Sequence, residues 1–247
     1  MARRKTPKAE EAPEALAEVL PRPLWRRALA WAGRGVMAVV VFYLFLIALY
    51  SFVPPPRNIY QWQEALRLGG IERDWVPMDQ IAPEMARSVV AAEDANFCLH
   101  WGFDIEQIRA AIADGQKRGA STISQQVVKN VFLWQGRSYV RKALEAVLTP
   151  VVELMWSKER ILEVYLNEAE FSEGVFGVGA AARVLFDTDA ASLTPKQAAR
   201  LAAVLPNPKE YNAVKPGSYV RNRAGQIISG AETIEADGRA ACFETVD

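Results

Sequence analysis

Residues 81–104 read IAPEMARSVVAAEDANFCLHWGFD. Ile81, Met85, Val89 and Ala92 recur at helical spacing, so the first half is a helix with one apolar stripe. That stripe runs into an adjacent acidic pair, Glu93 and Asp94, followed by Phe97 and by His100, the single histidine of the chain. Burying a carboxylate is costly unless it is paired or hydrogen-bonded. An acid in this setting is therefore either a satisfied structural group or one tuned for chemistry.

Working outward, the helical period persists and no alternating run is long enough to carry a sheet. Asp104 caps a helix with Ile105, Ile108 and Ile112 on one face. In RGASTISQQVVKNVFL, residues 118–133, Thr122 and Gln125 fit a capping box with Ile123, Val127 and Val131 behind it. Val140, Leu144, Val147 and Val151 mark the next helix. Pro150 is expected to kink or end it, because proline lacks a donor and crowds the carbonyl of Ala146. Ser157 caps a helix with Ile161, Leu162, Tyr165 and Leu166 inside, and Thr194-Pro195 with Gln197 starts one that ends at Pro206. From about Gly225 the pattern is poor, and residues 225–247 are expected to form a loosely packed tail.

Upstream, Gly35 to Val53 is a run of 19 residues without a charge. As a helix it is about 28 Å long, the thickness of a bilayer's hydrocarbon core. It has no small-residue cleavage site of the secretory kind, so it is read as an uncleaved signal anchor. Arg22, Arg26, Arg27 and Arg34 precede it closely, whereas Arg57, Arg67 and Arg73 follow more thinly. This asymmetry puts the N-terminus in the cytoplasm and the chain after Pro54 outside it. Residues 1–34 form a cytoplasmic tail, 35–53 the anchor, 54–74 a juxtamembrane linker and 75–224 the main helical domain.

Composition narrows the function. Lys plus Arg number 29 and Asp plus Glu number 29, which removes any global electrostatic case for nucleic acid. Two cysteines make neither a disulfide framework nor a metal cluster, and Cys98 is read as a small buried apolar residue rather than half of a disulfide. Gly174, Gly177 and Gly179 are in the wrong order for a dinucleotide loop.

Four polar clusters remain: Glu93-Asp94 with Phe97 and His100; Gly119 to Gln126 with Lys129; Arg141-Lys142 with Glu145; and KERILEVYLN from Lys158 to Asn167. A glycosyl group can be transferred with one carboxylate as general base. If a phosphate ester leaves, cations or helix N-termini must take up the developing charge. Arg141 and Glu145 lie four apart, on one helical face, and Ser121 and Thr122 begin a helix whose free amides can meet an anion. Each cluster also has a bland account: a helix cap, a loop, an exposed ion pair or a solvated face. Spacing alone leaves these open.

The succession EDANFCLHWGFD, GASTISQQVVKN, RKALE and SKERILEVYLN resembles the peptidoglycan glycosyltransferase family, from about Trp75 to about Arg223. The same domain forms the N-terminal half of bifunctional penicillin-binding proteins. No serine motif of a transpeptidase domain occurs here, so the chain resembles the family's monofunctional transglycosylases. The resemblance implies a lysozyme-like, two-lobed helical fold. It implies an inverting hexosyltransferase that polymerises lipid II into β-1,4-linked glycan and releases undecaprenyl diphosphate. That role belongs to bacterial cell wall biogenesis and cell shape, at the inner membrane with the catalytic domain in the periplasm.

Carried over by position, Glu93 is the catalytic glutamate and Glu145 the second essential one. Ser121, Thr122, Gln125, Gln126, Lys129, Arg137, Arg141 and Lys142 line the groove and hold the donor's pyrophosphate, and Asn167 is structural. Asp94, Phe97 and His100 support the site, with Tyr219, Arg221 and Arg223 retaining a further pattern loosely. Mg2+ or Mn2+ at the pyrophosphate is expected, with no organic cofactor. Expected partners are lipid II, the growing glycan, the membrane and cell-division or cell-wall synthesis proteins, with no nucleic acid. Cys98, Trp101 and Pro150 depart from the family pattern. The rival readings are a lysozyme-like lytic enzyme, which would have no pyrophosphate for the cationic clusters to bind, and a membrane-anchored scaffold, which leaves the four motifs unexplained.

Overall fold

The structure is a computed structural model that describes residues 24–113, 115, 121–136 and 138–244. The chain divides into two units, residues 1–45 and 46–247. The described part of the first unit is a single apolar helix. It belongs to α1 (Leu24–Tyr50), which is long and apolar enough to cross a membrane. The helix begins well before the uncharged run and stops three residues short of Val53.

The second unit is mainly helical. It contains α2 (Ile59–Leu68), α3 (Pro83–Glu93), α4 (Ile105–Ala113), α5 (Ile123–Phe132), α6 (Tyr139–Met155), α7 (Lys158–Glu168), α8 (Val178–Phe186), α9 (Pro195–Val204) and α10 (Ser218–Ala236). Three short strands, β1 (Glu72–Arg73), β2 (Glu170–Ser172) and β3 (Val175–Phe176), form a sheet in the order β1-β3-β2, with β1 parallel and β2 antiparallel to β3. At two or three residues each, they are too short to show an alternating pattern in sequence.

The core has two centres. In one, α3, α9 and α10 pack together, burying Met85, Val89 and Val90 against Leu201 and Ile227. A Cβ on Gly230 of α10 would meet the Ala91 Cβ at 3.1 Å, so glycine lets α10 lie close on α3. In the other, α5 packs on α6 and α7, with Ile123, Val127, Ile161 and Leu166 buried. The expected start signals hold: Thr122 with Gln125 and Thr194 with Gln197 both form capping boxes, and Ser157 caps α7. Asn167 ties α7 to the chain before α3. Its amide donates to the Val76 and Glu163 carbonyls, and its oxygen accepts from the Val76 N–H.

Several expectations need correction. Residues 54–74 are more than a linker: α2 has its own capping box, from Asn58 and Gln61, and buries Gln61 and Glu64. The segment after Gly225 is not a loose tail. Val220, Ala224, Ile227 and Ile234 of α10 are buried, as are Ala240 and Phe243 beyond it. Their spacing is helical, but interspersed Gly225, Ser229 and Gly230 dilute the stripe in sequence. Of the two outcomes expected at Pro150, a kink or an end, the end is ruled out, because α6 continues to Met155. Cys98 is half of a disulfide, with Cys242, 144 residues away. Only the packing of the C-terminal segment brings the two together, so no local pattern announces the pair.

Two apolar stripes also face outward. On α6, Val140 and Val147 are exposed while Glu145, Thr149 and Glu153 are buried. On α4, Ile105 and Ile112 are exposed.

Candidate active site

Helix α3 ends at Glu93, because Asp94 leaves the helical region with φ −160° and ψ 69°. The adjacent carboxylates are thereby sent to different partners. Asp94, 1% exposed, accepts from the Ile123 N–H at 3.0 Å through one oxygen and meets His100 Nε2 at 2.8 Å through the other. The first contact places an anion at the N-terminus of α5, where the helix dipole favours it. That amide is therefore not free for a substrate anion, contrary to the expectation for the Ser121–Thr122 turn.

The loop after Asp94 is fixed from several sides. Phe97 is fully buried, the His100 ring packs edge-on against it, and Lys158 Nζ lies 4.4 Å above it. Gly102 has φ +78°, and a Cβ there would fall 2.5 Å from Thr149 Cγ2. Thr122 Oγ1 donates to the Gly102 carbonyl at 2.6 Å. Thr122 and Gln125, expected in the groove, are both buried and bonded to backbone in the capping box. Behind them Glu153 accepts from Ser124 and pairs with Lys158 at 2.8 Å, a buried arrangement that no sequence pattern singled out.

Glu93 is only partly buried. Its Oε2 accepts from Gln126 Nε2 at 2.9 Å. Burial raises the proton affinity of Glu93, and Asp94 adds to that. The Gln126 bond and the charges of Arg223 and Lys129 act the other way without cancelling it. Burial lowers Lys129, while Glu145 and Glu93 favour its charged form. Lys129 is thus electrostatically linked to both glutamates.

Glu145 sits on the buried face of α6. Arg141, one turn earlier, pairs with one carboxylate oxygen, and Lys142 Nζ meets the other at 2.9 Å. Lys142 also reaches Ser121 Oγ at 3.2 Å. A cleft of about 300 Å3 opens beside Gln126 and Lys129, with Asn130, Tyr165 and Glu168 on its walls. Burial pushes Glu168 up to about 7, even though Arg73, Asn58 and Gln61 all bond to it. The structure thus brings Glu93, Gln126 and Lys129 to one place, and Ser121, Arg141, Lys142 and Glu145 to another, with Lys129 coupled to both. Arg137 lies outside the described residues.

The donors beside the cationic cluster do not fit a divalent cation, since both Glu145 oxygens are taken by Arg141 and Lys142. Among the described residues, the one compact set of metal-type ligands is Asp94, His100 and Asp104. There Asp94 is engaged as above, and Asp104 accepts from the Gln107 N–H and Asn96 Nδ2.

Comparison with known proteins decides the family. The transglycosylase family matches residues 62–232. A biosynthetic peptidoglycan transglycosylase of Jannaschia sp. (strain CCS1) is 62% identical over 213 residues, covering 86% of this chain and 89% of that one. The chain belongs to the transglycosylase family. Other similar members bear the same name. That of Pseudomonas entomophila (strain L48) is 49% identical over 81% of this chain and 86% of its own. That of Caulobacter vibrioides is 46% identical over 79% of this chain and 87% of its own. The transglycosylase match includes Glu93, Gln126, Lys129, Arg141 and Glu145, and stops short of Arg239, Cys242 and Phe243.

Proposed function

We propose that the chain is a glycosyltransferase of peptidoglycan synthesis that polymerises lipid II. The observation that carries this reading is a partly buried carboxylate, Glu93, linked through Lys129 to the cluster of Arg141, Lys142 and Glu145. A base and an anion-binding group at neighbouring places suit displacement of a phosphate ester by a hydroxyl.

Glu93 takes the proton from the 4-hydroxyl of the acceptor's N-acetylglucosamine. That oxygen bonds to C1 of the donor's reducing sugar as the C1–O bond to pyrophosphate breaks. Attack from the face opposite the leaving group turns the α link into a β-1,4 link, and undecaprenyl diphosphate departs with the electron pair. Lys129, Arg141 and Lys142 meet its growing charge, with Ser121 as a hydroxyl donor and Arg137 as a further cation. Glu145 holds Arg141 and Lys142 in place. No step is assigned to Mg2+ or Mn2+, because the cations of the chain occupy the oxygens such an ion would need. A lytic enzyme acting on a neutral glycosidic link would have no use for this cluster.

Both substrates are lipid-linked, so a membrane anchor in α1 brings enzyme and substrate to one surface. We place the catalytic unit outside the cytoplasm. The arginines before the span and the disulfide, a bond that persists in oxidising compartments, support this. The full chain in detergent, given labelled lipid II, is expected to yield polymer. Cleavage of preformed glycan without polymer would overturn the reading.

A further inference from the structure

The carbonyls at the end of a helix lack partners within it, and cations near that end are favoured. On either side of Glu93, one carbonyl at the end of α3 and one in the turn that follows are each taken by an arginine from the C-terminal segment. Arg223 Nη2 donates to the Ala92 carbonyl at 3.0 Å, and Arg239 Nη1 donates to the Ala95 carbonyl at 2.9 Å. Arg239 is itself held by Asp237 through its Nε. Three residues on, Cys242 is bonded to Cys98, and Phe243 packs its ring 6.4 Å from that of Phe97. Arg87, in the middle of α3, pairs with Glu235 and Glu244. The segment beyond α10 therefore grips the stretch 87–98 at four places, Arg87, Ala95, Phe97 and Cys98, and Arg239, Cys242 and Phe243 all lie beyond the part of the chain that matches the family.

We propose that this segment is a brace for the general base: Arg239 and the Cys98–Cys242 disulfide are positioning groups that set the place and burial of Glu93. The role rests on the function proposed above for Glu93. None of these groups reaches the reacting atoms. They fix the chain just after the base, at Ala95 and Cys98, and misplacing a catalytic group by about 1 Å is enough to cost roughly 100-fold in rate.

The experiment uses the full chain in detergent with labelled lipid II, untreated or reduced with dithiothreitol, alongside Arg239→Ala and Cys98→Ala/Cys242→Ala. Reduction passes two electrons and two protons to the two sulfurs and turns the dithiol into its cyclic disulfide. Each treatment should lower kcat by roughly 10- to 100-fold while leaving KM for lipid II nearly unchanged. Each should also move the acid limb of the pH profile downward, because a loosened Glu93 is better hydrated. Reoxidation should restore the untreated protein's values. Hydrogen exchange should quicken over residues 91–104 and stay unchanged in α5 and α7. Unchanged exchange and unchanged kcat after complete reduction would overturn the brace, as would a rise in KM alone or faster exchange throughout the unit. If the untreated chain makes no polymer, the proposed function fails, but exchange at residues 91–104 still decides the brace.

Discussion

At the scale of single residues, the site turns on how differently two adjacent carboxylates are treated. Glu93 faces partial burial with one neutral donor, so its proton affinity lies above the ordinary carboxylate value of 4.5. A general base must be ionised, so kcat/KM should fall as pH drops through this raised value. The acid limb of a pH–rate profile should therefore lie above 4.5. The same shift has a stability sign. The folded state holds the proton more tightly than the unfolded chain, so the contribution is present below the unfolded value and lost as pH rises through the folded one. At neutral pH ionised Glu93 is thus a liability, and Glu93→Gln should melt at or above wild type in calorimetry. Glu145 is buried between Arg141 and Lys142. Glu145→Gln should cut turnover severely by freeing those two cations from their fixed positions, with the fold retained in circular dichroism. Collapse of the fold instead would make the cluster a structural ion pair.

Among the elements, some are legible in the sequence and others are not. Helices α5, α7 and α9 announce themselves, because a capping residue and an apolar stripe coincide in each. Glu93 was legible as the end of such a stripe. The orientation of α6 was not, because its valines are exposed and its polar residues are buried. Glu153 with Ser124 and Lys158, and Glu168 with Arg73, were equally hidden, since their partners come from other elements. Asp94 joins α3 to α5 by capping a helix 29 residues away. Asp94→Asn removes a charge-assisted bond, which should cost about 1.5–3 kcal/mol in denaturant unfolding. It should affect stability more than the chemical step. Gly102→Ala combines φ +78° with a Cβ 2.5 Å from Thr149 Cγ2. It should lower stability by at least about 1 kcal/mol and shift the loop that carries His100.

At the scale of the whole molecule, an apolar helix is followed by a helical unit whose proposed base and cationic cluster suit lipid-linked substrates. Topology is testable directly: a reporter active only in the cytoplasm, fused after Asp247, should be silent in cells. The C-terminal contact with α3 is the largest feature that leaves no trace in the sequence. It depends on small residues at Gly230 and Ala91, and on a disulfide spanning 144 residues, neither of which leaves a local signature. Everything proposed for the reaction depends on Glu93 as the base for glycan polymerisation. The most direct measurement is single-turnover polymerisation of labelled lipid II by Glu93→Gln, alongside lipid II binding by the same variant. The account predicts binding close to wild type and a rate lower by on the order of 10²–10⁴; polymerisation near the wild-type rate would contradict it.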